Sequence, residues 1–207
     1  MGRGTWTIVV AGGSGTRFGA RKQYLRLGGR RVLDWALDAA AAHSDGVVLV
    51  VPADVADEPE AKADVVVAGG ATRSASVRAG LAAVPDEAAV IVVHDAARPV
   101  PVPHVWRAVL EAVAAGADAA VPGVPVTDTL RSIHGGVVDR SSLVAVQTPQ
   151  AFRAAALRAA HADGGDATDD ASLVEARGGN VVLVDGDPRN VKITTPADLS
   201  VAELHCR

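Results

Sequence analysis

Between Val10 and Leu25 the chain reads Ala11-Gly12-Gly13-Ser14-Gly15-Thr16-Arg17 and then, five residues on, Lys22-Gln23-Tyr24. Those residue types in that order are suited to holding phosphate. Glycines carry no Cβ and tolerate φ > 0, so their backbone N–H groups can approach phosphate oxygens closely. Arg17 adds a guanidinium fork and Lys22 a compact ammonium, the parts needed to grip a triphosphate. Two better-known phosphate loops fail on the letters. A P-loop ends in Lys followed by Ser or Thr, and no such pair exists here. The dinucleotide fingerprint that starts at Gly13 and Gly15 meets Phe18 where its third glycine belongs. Taken alone, the glycines suit a tight structural turn as well as a phosphate site.

Charge distribution adds to the signal. Of 207 residues, 49% are apolar and 21% charged, with a net charge of −4. Residues 1–33 hold seven basic groups (Arg3, Arg17, Arg21, Lys22, Arg26, Arg30 and Arg31) and no acid, a balance of +7 against −11 for the remainder. The acidic bulk argues against generic polyanion binding, so neither nucleic acid nor a membrane surface is expected as a partner. The basic segment can hold one compact anion, although a solvated basic helix face is the blander reading. Only three lysines accompany 17 arginines, and two of them, Lys22 and Lys192, fall in the motifs singled out here.

Other candidates have structural rivals. Asp95, in His94-Asp95-Ala96-Ala97-Arg98-Pro99, can bind a ligand or cap a turn with Arg98 as its salt-bridge partner. His94 ends a strand and reads as a packed side chain, while the other histidines show no metal spacing. Thr168-Asp169-Asp170 reads first as a helix cap with acidic first-turn residues. Trp6, Trp35 and Trp106 read as packing residues. The lone Cys206 excludes an intrachain disulfide and a cysteine zinc site. No Ser/His/Asp or Cys/His set stands out.

Strands and helices must place these residues. Apolar runs at Thr5–Val10, Val47–Val51, Val65–Val67, Val90–Val93 and Val181–Val184 read as strands, continuous in the manner of a sheet covered on both faces. Helical spacing recurs from Val32 to Ala40, from Ser74 as a cap to Val84, from about Pro103 to Ala115, from Phe152 to His161, from Ala171 to Ala176 and near Pro196 to Leu204. Alternation of this kind predicts an α/β fold with a largely parallel sheet. About residues 122–146, Pro and Gly among short β-like pieces leave no room for crossover helices, so a projecting hairpin-like arm is expected. Residues 1–207 read as a single domain. No apolar run approaches the roughly 20 residues of a membrane span, and nothing reads as a secretory signal, so a soluble cytoplasmic protein is expected.

Seven motifs in sequence carry a family resemblance: Gly12-Gly13-Ser14-Gly15-Thr16-Arg17, Lys22-Gln23-Tyr24, Gly69-Gly70-x-x-Arg73-x-x-Ser76-Val77, His94 to Pro99, Asp128-Thr129, Gln147-Thr148-Pro149-Gln150 and Asn190-Val191-Lys192-Ile193-Thr194. Over about residues 5 to 204 the chain resembles the 2-C-methyl-D-erythritol 4-phosphate cytidylyltransferases of the non-mevalonate isoprenoid pathway. The resemblance implies transfer of a cytidylyl group from CTP to methylerythritol phosphate, with release of pyrophosphate. It also implies Mg²⁺ bound mainly through CTP phosphates, without a protein metal site. The implied fold is a Rossmann-like, mostly parallel twisted sheet of nucleotidyltransferase type, forming a homodimer through its β-arm. By the same resemblance Arg17 and Lys22 serve the transition state, and Arg140 and Lys192 hold the acceptor phosphate. Asp95 and Thr129 meet the polyol hydroxyls, with Arg98 organising that pocket and Thr168 nearby. Ala11, Gly12, Gly13, Ser14, Gly15, Gly69, Gly70 and Ser76 enclose cytosine and ribose. The chain departs from the family where Arg21, in place of a proline, precedes Lys22. A ribitol phosphate cytidylyltransferase and a non-catalytic CTP-binding regulator are the competing readings.

Overall fold

A computed structural model of the chain describes residues 4–13, 18 and 20–206. The continuous Val and Ile runs form the centre of an eight-stranded sheet. Its strands are β1 (Thr5–Val10), β2 (Gly46–Val51), β3 (Val65–Ala68), β4 (Val90–Asp95), β5 (Ala119–Pro125), β6 (Val144–Val146), β7 (Gln150–Arg153) and β8 (Val181–Asp185). In space they run β6-β5-β7-β4-β1-β2-β3, with β8 also pairing β5. The pairs β1–β2, β1–β4, β2–β3 and β5–β8 are parallel, and β4–β7, β5–β7 and β5–β6 are antiparallel. The sheet is mixed but mostly parallel, as expected.

Among the described residues five helices cover it, α1 (Val32–Ala41), α2 (Arg73–Ala83), α3 (Pro103–Ala114), α4 (Ala154–His161) and α5 (Asp170–Ala176), and α6 (Pro196–Glu203) packs on a separate cluster with Leu27, Val32 and Val105. Successive strand side chains point to opposite faces. Ile8, Val48, Val50, Ile91 and Val93 pack with Val77 and Leu81 of α2, Leu157 of α4 and Val174 of α5. Val9, Val47, Leu49 and Val92 pack instead with Leu33 and Leu37 of α1 and with Trp106 and Val109 of α3. Burial on both faces is why these strands are continuously apolar rather than alternating. The chain leaves β1 for β2 on one side and later returns to β4 on the other. The carboxyl ends of β1 and β4 therefore meet at a switch point, where open α/β sheets bind ligands. Val10 lies in register with Asp95 there.

The structure corrects several local expectations. Thr72, not Ser74, caps α2, its hydroxyl accepting from Ala75 N at 3.0 Å. Ser74 is buried and bonds the backbone of Ala167 instead. Phe152 does not begin a helix. It lies on β7 opposite Ile91, because antiparallel pairing with a central strand outweighs helical spacing, and α4 starts at Ala154. The expected arm is rooted in the main sheet, since Gly123–Pro125 pair with Val144–Val146. Between those roots project a small hairpin, Leu130–Arg131 against Val137–Val138, and a short turn, Arg140–Ser142. Among the tryptophans, Trp106 is buried under the His43 and His94 rings, and the Trp35 indole donates to the Leu27 carbonyl. Trp6 packs against the first core face.

Candidate active site

A cleft of about 510 Å³ opens at the carboxyl ends of β1 and β4. The segment after β1 supplies Ala11, Gly12 and Gly13, the loop after β3 supplies Gly70, and the start of α2 supplies Arg73 and Ser76. Lys22, Asp95 and Lys192 come from three further parts of the chain. The buried Gln23 amide donates to the carbonyls of Ala11 (2.8 Å) and Gly13 (3.3 Å). That clamp seats the turn Lys22–Tyr24 against the glycine loop and places Lys22 on the cleft wall. Beside it, Ser76 Oγ accepts from Gly70 N at 3.2 Å and donates to the Thr72 carbonyl at 2.9 Å. A Cβ at Gly70 would fall 2.5 Å from that of Ala75, so the close approach of loop and helix requires glycine.

Asp95 sits at the centre of the charges. Its Oδ2 accepts from Lys192 Nζ at 2.6 Å, and its Oδ1 lies 3.6 Å from Arg73 Nε, an ion pair longer than a hydrogen bond. Burial alone would raise this carboxyl. The charges of Lys192 and Arg73, with the Lys192 hydrogen bond, outweigh it and hold the carboxyl down at about 2. The Asp95 backbone N–H donates to Thr148 Oγ1, which also contacts His94 Nδ1. Burial drives His94 down to about 4, so it is neutral and packed, in keeping with the sequence reading.

Arg98 is not the salt-bridge partner of Asp95. Its guanidinium donates to the carbonyls of Asn190 (2.6 Å) and Val146 (3.2 Å), and its backbone N–H to the Asp95 carbonyl (2.9 Å). It thus closes the turn after β4 and ties it to the Lys192 loop. Further stitches hold that loop: Ile193 N donates to Ala97 O at 2.8 Å, and the buried Asn190 amide donates to Thr148 O at 2.9 Å. The Gln147 amide donates to Asp187 O at 2.8 Å. Lys192 therefore stands on a rigid base, although its own side chain is 43% exposed.

Not every sequence candidate converges here. Arg17, Ser14 and Gly15 lie outside the described residues. Gly69 stands behind the wall, its N–H donating to Val51 O at 2.7 Å. Thr168 is exposed and lies just before the true cap of α5, Asp169, whose carboxylate accepts from Ser172 N. Arg140 and Thr129 are exposed on the arm and do not line the cleft, and Arg140 donates to the Thr127 carbonyl. Much of the basic N-terminal segment is also spent elsewhere: Arg21 pairs with Asp54, Arg30 with Asp38, and Arg31 with Asp34 and Glu60. Among the described basic residues of that segment, Lys22 is the one lining the cleft. Sequence reasoning assigned no role to Arg73, which carries a second charge onto Asp95. Its only signal was its place in the Gly69-Gly70-x-x-Arg73 spacing.

Lys192 and Arg73 thus face the Asp95 carboxylate, Lys22 lines the same cleft, and the amino end of α2 adds its positive dipole. A surface of this kind concentrates anions. Among the described residues no three His, Cys, Asp or Glu side chains converge as a metal cage. Bare glycine backbone at one wall and cations at the others suit a nucleotide whose phosphates point inward.

The chain is similar throughout to proteins of one kind. Residues 5–207 match the family model described as 2-C-methyl-D-erythritol 4-phosphate cytidylyltransferase. A protein of that name from Nocardia farcinica is 45% identical, with 95% of this chain and 91% of that one aligned. The bifunctional enzyme IspD/IspF of Solidesulfovibrio magneticus is 44% identical over 96% of this chain, which spans only 56% of that longer protein. The crystal structure of 2-C-methyl-D-erythritol 4-phosphate cytidylyltransferase from Thermus thermophilus superposes with a TM-score of 0.84 at 39% identity, covering 95% of this chain and 96% of that one. The sheet order, the glycine-lined cleft and this extent of likeness lead to one assignment: the chain belongs to the 2-C-methyl-D-erythritol 4-phosphate cytidylyltransferase family.

Proposed function

We propose that the protein transfers the cytidylyl group of CTP to 2-C-methyl-D-erythritol 4-phosphate, in isoprenoid precursor synthesis in the cytoplasm. An acceptor phosphate oxygen forms a bond to the α-phosphorus. The bond from that phosphorus to the bridging oxygen breaks, and pyrophosphate leaves with the electron pair. A phosphate monoester has its second pKa near ~6, so at neutral pH the attacking oxygen is already anionic and needs no general base. The obstacle is repulsion between two polyanions. In-line positioning and charge neutralisation are then the whole task of the side chains.

The observation that carries this reading is that one glycine-lined cleft brings together Lys22, Arg73, Asp95 and Lys192, with Arg73 and Lys192 paired to the carboxylate. Lys22, with Arg17, is assigned to the charge that gathers on the α-phosphate. Lys192 is assigned to the acceptor phosphate and Asp95 to the polyol hydroxyls. Ala11 to Gly15, Gly69, Gly70 and Ser76 are assigned to cytosine and ribose. Mg²⁺ fits the site as part of the nucleotide complex, because Asp95, the sole carboxylate among the described lining residues, is already taken by two cations. The ion would supply further neutralisation of phosphate charge, with oxygen ligands from CTP and water. Arg140 and Thr129 can join only if an arm reaches the cleft. The arm is exposed and carries apolar side chains, among them Ile133 at 94% and Val137 at 64% exposure, so a homodimer is the proposed route.

Pyrophosphate release tests the reading. With CTP and Mg²⁺, methylerythritol phosphate is expected to react and ribitol phosphate is not. Reaction with ribitol phosphate alone would overturn the acceptor, and CTP binding without turnover would make the protein a sensor.

A further inference from the structure

We propose that Arg73 is a positioning residue that keeps Asp95 ionised and in place when Lys192 turns from it to an acceptor phosphate, a role that rests on the reading of the cleft above. The two oxygens of Asp95 are divided: Oδ2 belongs to Lys192 and Oδ1 faces Arg73. If Lys192 is to hold a phosphate, it must share or release Asp95. A buried carboxylate deprived of its cation takes up a proton and ceases to be a pure acceptor of hydroxyl hydrogen bonds. A second cation is needed that does not leave.

Arg73 has the anchoring for that task. Its Nη1 donates to Asp170 Oδ2 at 2.7 Å, and Asp170 has no exposed surface. The other Asp170 oxygen lies 3.0 Å from Nε2 of the buried His161. Arg73 opens α2, Asp170 opens α5 and His161 ends α4, so three helix ends fix the guanidinium from behind. Lys192, by contrast, has a half-exposed side chain on four rotatable bonds. The pair divides the labour, with a mobile cation for the substrate and a tethered one for the carboxylate. The charged groups around Asp95 are Lys192, Arg73 and the more remote Arg98, with neutral His94 beside it on β4. Asp170 and Asp169 act on Arg73 from behind.

The test combines titration with kinetics. In a Lys192→Met protein, the Asp95 carboxyl followed by ¹³C NMR is expected to remain ionised at neutral pH. Adding Arg73→Gln is expected to raise its midpoint by about two units, the scale set by removing a nearby opposite charge. Arg73→Gln strands Asp170 as a buried charge, so the Arg73→Gln/Asp170→Asn pair supplies a folded counterpart. In that double variant, with Lys192 intact, KM for methylerythritol phosphate should rise about ten- to a hundredfold, as for a lost charge-assisted hydrogen bond, while KM for CTP moves about twofold or less. Arg73→Lys should restore part of the difference. An Asp95 midpoint indifferent to Arg73, or an equal rise in both Michaelis constants, overturns the proposal. The titration needs no turnover, so it decides the role of Arg73 even if the assigned acceptor is wrong.

Discussion

The cleft and the arm carry candidate residues on opposite kinds of scaffold. Asp95 ends a central strand, Arg73 opens a helix, and the Lys192 loop is stitched to two neighbouring segments. Each is over-determined by buried partners. Arg140 and Thr129 stand exposed on a hairpin, where the hydrogen bond from Arg140 to Thr127 stays within the arm. Chemistry that needs fixed charges is built into the core. Residues on the arm have few buried partners, and changing them should leave the fold intact.

The largest expected effect is on turnover at the cleft. Lys22→Ala, and separately Arg17→Ala, should lower kcat at least about a hundredfold, the scale of deleting one donor from a site that stabilises developing charge. CTP binding, measured by calorimetry, should fall far less. Equal turnover in the variants would remove these side chains from the mechanism.

Next comes the pH dependence of the core beneath the cleft. His94 titrates near 6.5 when unfolded but at about 4 in the folded protein, mainly through burial. The unfolded chain therefore binds a proton that the native site refuses. The resulting stability is full above pH 6.5 and is lost as the pH falls to 4, by an amount on the order of 3 kcal/mol. Asp95 acts in the same direction only at lower pH, down to about 2. Urea denaturation across this range should show the slope, and His94→Gln should flatten it whatever its constant cost.

A smaller loss of about 2 kcal/mol is expected for Asn190→Ala, which strands the Thr148 carbonyl and leaves the Gln147 amide oxygen with the Asp187 N–H alone. Because Asn190 carries the base of the Lys192 loop, KM for the polyol phosphate should rise with it. Arg140→Ala sharpens the contrast: stability should stay within about 0.5 kcal/mol of the parent. Its effect should appear as weaker capture of methylerythritol phosphate alone. A large loss of stability in Arg140→Ala would make the arm part of the core.

Much of this was legible in the residues. Val and Ile runs announced the parallel sheet because strands covered on both faces need no polar side. That Ala11, Gly12, Gly13 and Asp95 line a cleft was legible because they stand at strand ends, where open α/β sheets form their clefts. Phe152 was misread because its spacing suits a helix while its pairing partner, Ile91, lies far away in sequence. Arg73 had no legible role for the same reason. Its carboxylate partner Asp170 is 97 residues distant, and nothing in either local sequence announces the pair. The basic segment overstated the site, since Arg21 and Arg31 pair with Asp54 and Glu60, acids well removed in sequence, and Arg30 with Asp38 of α1.

The most direct test is a crystal structure with a non-hydrolysable CTP analogue, Mg²⁺ and methylerythritol phosphate. The account predicts Lys22 Nζ within about 3 Å of an α-phosphate oxygen and Lys192 Nζ at similar distance from the acceptor phosphate. Either ammonium lying more than about 6 Å from any phosphate oxygen, with both ligands seated, would contradict it.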